Sequence, residues 1–193
     1  MVSSLVRISD GIRWVLEKYA FATAWLLVLL MCVTCFDVAA RKFGLATYIG
    51  VPGLLTRFQE LEWWIHTAIF SGWMGYGYTI NAHPRVDSYT EAMPFRRKAW
   101  LELICCLLFA LPYMAIVSYY SVDFVWQSFR IDEGSESAIG LSHRWLVKGV
   151  YALGIWLVLL AVVSVMLRLV AYLFGGVPRE EADIQIGHAE LEV

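Results

Sequence analysis

Charge is scarce in this chain. Only 17% of its 193 residues are Asp, Glu, Lys or Arg, where a soluble domain carries about 25%. A conventional solvated shell around a small core is therefore excluded. Histidine is scarcer, at four residues, and only His66 falls inside an apolar stretch. A bis-histidine haem needs two histidines at facing depth, which leaves a haem- or quinone-binding anchor as a weak alternative. The four cysteines, Cys32, Cys35, Cys105 and Cys106, all lie within apolar stretches. Cys32 and Cys35 have redox-like C-x-x-C spacing, but a zinc site needs two more ligands, and cysteine on an apolar helix is mostly a small hydrophobe. No basic, aromatic-interleaved patch points to nucleic acid, and the net charge of −2 says little.

What the chain does have is hydrophobic length. Sixty per cent of its residues are hydrophobic and the mean hydropathy is +0.62, against roughly 45–50% apolar residues in soluble domains. The excess gathers into four blocks, 19–40, 61–80, 100–120 and 149–174, each near the ~20 residues a membrane-crossing helix needs. The expected fold is all-α and integral to a membrane, a single four-helix domain over 1–176 with no soluble catalytic domain. The first block is too long for a signal core of about 7–15 residues and ends in Asp37 and Arg41 rather than a small-residue cleavage site. It reads as a retained span.

Basic residues near the spans set the orientation. Arg7, Arg13, Lys18, Arg85, Arg96, Arg97, Lys98, Arg168 and Arg179 share one side; Arg41, Lys42, Arg57, Arg130, Arg144 and Lys148 share the other. The richer side is expected in the cytoplasm, with both termini. Leu5, Ile8, Ile12 and Val15 recur at helical spacing ahead of the first block, which predicts an N-terminal amphipathic helix lying at the interface. From Val177 the chain is acidic and follows a Gly-Gly-x-Pro break, so 177–193 is expected to be a mobile cytoplasmic tail.

Charges at bilayer depth are costly and need explaining. Asp37 precedes Arg41 by four residues, the favourable order for a helical ion pair, here at the outer end of the first span. Gln59, Glu60, Glu62 and His66 open the second, with Trp63 and Trp64 marking the interface belt. They read as an external polar collar contacting other helices, as a proton-binding group, or as simply solvated. Glu102 is expected to be neutralised by Arg97 or Lys98, and Arg168 to extend to the headgroups. Ser71 and Gly75 form a small-xxx-small pair beside Gly72, which lets helices approach closely. Pro112 interrupts the hydrogen-bond ladder of the third span and suggests a packed face. The stretch NAHPRVD, 81–87, ends the second span: Asn81 closes off carbonyls, Pro84 stops the helix, and His83, Arg85 and Asp87 form a polar knot.

Several stretches, in order, resemble the small Q-type membrane subunit of tripartite ATP-independent periplasmic (TRAP) transporters. FDVAARKFG is similar to the family's D-V-x-x-R ending, here Asp37 and Arg41. QELEWWIHTAIFSGWMGYGYTINAHPRVD is similar to its Q-E-x span and N-x-H-x-R-V-D loop, carried by Gln59, Glu60, Asn81, His83, Arg85 and Asp87. MPFRRKAWLELI, LPYMAIVSYYSVDFVWQSF and ESAIGLSHRWLVKGVYALG follow, the last ending its motif at Lys148. The likeness covers residues 10 to 173, with departures at Ser142, where the family often has proline, and at Pro84. It implies a scaffold subunit of four spans in the bacterial inner membrane, paired with a large elevator-type subunit of about a dozen spans and supplied by a periplasmic substrate-binding protein. Transport would be a sodium symport of a small organic anion, with sodium and solute on the large subunit. No enzyme activity, metal or cofactor is implied for this chain, and membrane phospholipids are its other expected partners. The competing reading is a self-contained four-helix proton-coupled exporter using Glu62 or Glu102.

Overall fold

The computed structural model describes residues 2–83, 90 and 92–186, and every regular element among them is helical. In order these are α1 (Val2–Ala24), α2 (Leu26–Lys42), α3 (Leu45–Ile49), α4 (Leu54–Thr79), α5 (Phe95–Cys105), a π turn (Cys106–Ala110), α6 (Leu111–Arg130), α7 (Trp145–Gly175) and the short α8 (Arg179–Ala182). Three helical stretches are long and apolar enough to cross a membrane: Ser4–Lys42, Phe95–Arg130 and Trp145–Gly175. The second expected span falls in α4, whose 26 residues give a rod of about 39 Å. It is long enough but less apolar, because Trp, Tyr, Gly and His crowd its sequence and Glu60 and Glu62 stand near its start.

The bundle is built around α4 and α7, which share the broadest contact. They run parallel: a side chain at Gly154 would strike Ser71 Cβ at 2.4 Å, and one at Gly75 would meet the Leu157 carbonyl at 2.9 Å. Helix α1 lies antiparallel to both. Its Ser9 meets Ser164 and its Leu16 packs with Leu157 and Ala161. Thr23 fills the space a Gly72 side chain would take, at 2.1 Å. The α5–α6 rod runs antiparallel to α7, with Phe95 against Tyr172 at one end and Phe129 against Trp145 at the other. On α6 the face carrying Ser118, Ser121 and Ser128 is buried.

Two breaks have local causes. Between α1 and α2 the Thr23 hydroxyl donates back to the carbonyls of Tyr19 and Ala20, both at 3.0 Å, a competition that bends helices. Two residues on, Val28 N–H bonds to Trp25 O in a three-residue turn. In the α5–α6 rod, Pro112 has no N–H and its ring clashes with the preceding turn. The helix widens just before it into the π turn, where Leu111 N–H reaches back to Cys106 O.

Two expectations are corrected. The N-terminal amphipathic segment is no separate interfacial helix: α1 packs lengthwise on α7 and α4 and leads into α2 across the single residue Trp25. Of its apolar stripe, Leu5 and Ile12 are half-buried while Ile8 and Val15 stay exposed, and the face the bundle covers carries Ser9, Leu16 and Ala20. The chain after Val177, expected to be mobile, packs back instead. Gly176, at φ 66, closes α7 in a left-handed turn, and Ala182, Ile184 and Ile186 join Ala99, Leu103 and Leu169 in one buried cluster. Residues 187–193 lie outside the described residues.

Candidate functional site

Polar side chains collect at the two ends of the bundle. At the end where α1 begins and α7 finishes, Arg168 is buried at 6% exposure. Its Nε donates to Ser9 Oγ at 2.7 Å, Nη1 to the Ala182 carbonyl at 2.8 Å, and Nη2 to Asp10 at 2.5 Å. Asp183 lies 3.5 Å from Nη1 and also pairs with Arg13. A guanidinium with its donors filled tolerates burial that an unpaired one would not. Arg168 therefore ties α1, α7 and the C-terminal segment together, rather than extending outward to headgroups.

At the opposite end, α2 and α4 face each other through Asp37, Arg41, Gln59 and Glu62. Arg41 Nε donates to Asp37 Oδ2 at 2.7 Å, and its Nη2 reaches Leu55 O at 3.2 Å and Gln59 Oε1 at 3.4 Å. Asp37 Oδ1 and Glu62 Oε1 are buried with no hydrogen-bond partner. The structure thus places the expected Asp37–Arg41 pair on a seam between helices, where Asp37 is buried and Arg41 half-exposed.

Glu60 points away from this seam. Its carboxylate accepts from the Ser135 hydroxyl and from Leu141 N–H at 2.5 Å. Arg57 Nε adds a bond to Ile139 O at 3.1 Å. Together they hold loop 131–144 onto the start of α4, where Gly53, at φ 75, leaves no room for a side chain beside Ile139. Lys148 pairs with Glu133 and lies 4.0 Å above the Phe124 ring; Arg144 stands 3.8 Å from Glu133 and 5.7 Å from the Trp63 ring. The hydrogen bond from Lys148 holds the Glu133 carboxyl below the usual carboxylate range. Trp64 is half-buried, and His66 is exposed, so neither joins these clusters.

The remaining candidates divide. Ser71, Gly72 and Gly75 are buried where α1 and α7 close on α4. Pro112 is exposed rather than packed, and it lines an open groove. Asn81 takes a left-handed conformation, φ 56, at the end of α4, and His83 Nε2 lies 3.3 Å from the Met74 carbonyl. Arg85 and Asp87 lie outside the described residues.

Glu102 does not simply pair with Arg97 or Lys98 one turn away. It accepts a bond from the Tyr78 hydroxyl at 3.2 Å, and the same hydroxyl lies 3.2 Å from Cys106 Sγ. This triad borders a groove of about 620 Å³. Among the described residues no cluster of His, Cys, Asp and Glu suits a metal ion.

Sequence reasoning missed the Arg168 network and the Glu60 clamp. The first had a visible signal: Ile184 and Ile186 alternate with polar residues after Asp183, an apolar pattern a free tail does not need. The second had none, because Ser135 and Leu141 are ordinary loop residues. Set against protein-family models, curated proteins and solved structures, the chain matches none.

Proposed function

We propose that this chain is the small membrane subunit of a sodium-driven, binding-protein-dependent secondary transporter of the TRAP type. It would cross the bacterial inner membrane four times, α4 supplying the crossing beyond the three membrane-length stretches, with both termini cytoplasmic. Its role would be to stabilise a large elevator-type subunit that imports a small organic anion. The reading assigns this chain no catalytic residue and no cofactor.

The observation that carries it is how the polar and apolar residues are divided. The titratable groups just described tie helices and loops to one another near the ends of the bundle. Meanwhile α2 and the α5–α6 rod turn Val28, Met31, Val38, Leu108, Phe109 and Ile116 outward. Such continuous apolar faces suit burial against lipid or a larger membrane partner. The ordered likeness of five stretches to the TRAP small subunit names that partner. Arg96, Arg97, Lys98 and Arg179 lie at the end shared by the start of α1 and the close of α7, which supports a cytoplasmic placement for that end.

The test is recovery of the tagged chain from native membranes in mild detergent, with mass spectrometry of what accompanies it. A stoichiometric partner of about a dozen spans is expected, since each span takes about 20 apolar residues. Recovery of the chain alone, or only as its own oligomer, would overturn the reading.

One observation favours the exporter as a second reading: Glu102 sits with Tyr78 and Cys106 beside an open groove and a π turn, a feature frequent at functional sites. If that reading held, the purified chain in liposomes would carry protons and Glu102→Gln would abolish the flux. Under the scaffold reading neither wild type nor variant moves protons.

A further inference from the structure

The seam between α2 and α4 carries more negative charge than positive. Thr23 lies against Gly72, and Arg41 against Leu55 and Gln59, so the two helices run antiparallel and Glu62 falls opposite Asp37. Two carboxylates against the single guanidinium of Arg41 leave the seam one positive charge short. The other titratable groups at this end are engaged elsewhere. Glu60 is turned to Ser135 and Leu141, Arg57 to the Ile139 carbonyl, and Arg144 and Lys148 are held by Glu133. Lys42 and His66 are exposed on the outside of the bundle.

The oxygens show where the missing charge belongs. Asp37 is buried at 6% exposure, and only its Oδ2 has a donor, Arg41 Nε at 2.7 Å. Its Oδ1 is buried without one, and so is Oε1 of the half-buried Glu62. A carboxylate oxygen withdrawn from water with nothing to bind is costly. Carboxylate and amide oxygens suit hard cations, whereas zinc, copper and iron–sulfur centres take imidazole and thiolate. No group of three or more His, Cys, Asp and Glu assembles among the described residues, so a site of that second kind is not offered. The charge count also selects valence: a monovalent ion neutralises the seam, and a divalent one would leave it positive.

We propose that the α2–α4 seam holds a structural sodium ion between Asp37 Oδ1 and Glu62 Oε1, with water completing its shell. Asp37 then bridges two cations, Arg41 on one oxygen and sodium on the other. The ion fastens α2 to α4 where direct hydrogen bonds between the two carboxylates and donors are lacking. The inference does not rest on the transporter reading or on the gradient that reading invokes. It concerns an ion retained by this chain, so the identity of any co-purified partner leaves it untouched.

The test uses the full chain, purified in mild detergent in choline chloride. Its melting is followed as sodium chloride replaces choline chloride at constant ionic strength. Sodium is expected to raise the melting temperature by about 4 °C near saturation. Glu62→Gln removes one ligand charge at nearly constant shape and should lose most of that response. Asp37→Asn should lose it as well, but it also disturbs Arg41, so Glu62→Gln carries the argument. Glu136→Gln, on a side chain 91% exposed at the same end, should respond like the wild type. Three results would overturn the site. The first is no difference between sodium and choline in the wild type. The second is a full response in Glu62→Gln, or a lost one in Glu136→Gln. The third is an equal rise on acidification to pH 5 in choline with nothing further from sodium, which would put a proton in place of the ion.

Discussion

Arg168 and Asp37 are both buried charges in helices of this bundle, and they are served very differently. Arg168 has bonds to Ser9 and Asp10 of α1 and to the Ala182 carbonyl of the C-terminal segment. Asp37 has one arginine on its own helix for one oxygen, and its other oxygen, like Glu62 Oε1, has no partner. The first arrangement joins the chain's two distant ends. The second is mostly local. Burial of charge is tolerable in both cases, but the first fixes tertiary structure over a much longer reach, because its Ser9 partner lies 159 residues away, whereas Arg41 links the Asp37 pair only to Leu55 and Gln59 of the next long helix.

The sharpest way to break this contrast is to remove each charge in turn. Arg168→Met should cost about 3 kcal/mol, within the range for breaking a buried pair. It should also release the segment 178–186, read as a gain of amide exchange there. Asp37→Asn should cost under about 1 kcal/mol, since the seam already leaves acceptors unfilled and loses a desolvated charge. Equal losses from the two changes would erase the distinction.

The middle of the bundle offers a test independent of charge. Gly154→Ala would put a methyl group 2.4 Å from Ser71 Cβ, with Ser71 Cα at 2.8 Å. Because the obstacle includes backbone, α4 and α7 must part, at about 1–3 kcal/mol. Gly149→Ala, facing open space on the same helix, should be neutral or slightly stabilising. Thermal melting of both variants in one detergent makes the comparison.

The smallest effect concerns acid. Glu133 is held below its ordinary value first of all by Lys148. A depressed carboxyl contributes stability that is complete above its unfolded value of 4.5 and is lost as pH falls through its lower folded value. The wild type should therefore exceed Glu133→Gln in melting temperature at pH 6, and the gap should close as pH falls below about 4.5. A gap that stays constant down to pH 3 would mean the pair contributes little, since Glu133 is partly exposed and screened.

Much of this was legible in the residues. Runs of apolar side chains longer than ~18 residues can satisfy their backbone in lipid only as helices, so the all-helical fold and three of its membrane-length stretches follow from composition alone. Ser71, Gly72 and Gly75 likewise advertise close helix contact wherever they fall, and Asp37 four residues before Arg41 advertises a pair. What sequence could not decide was which partners would meet. That Ser71 faces Gly154, that Thr23 bends α1 over Gly72, that Glu60 turns from the α2 seam to clamp Ser135 and Leu141, and that the acidic C-terminal segment folds back onto Arg168 all depend on contacts between residues far apart in the chain. Local periodicity fixes a helix and its apolar stripe; only packing the helices together selects which stripe, and which charge, lies opposite.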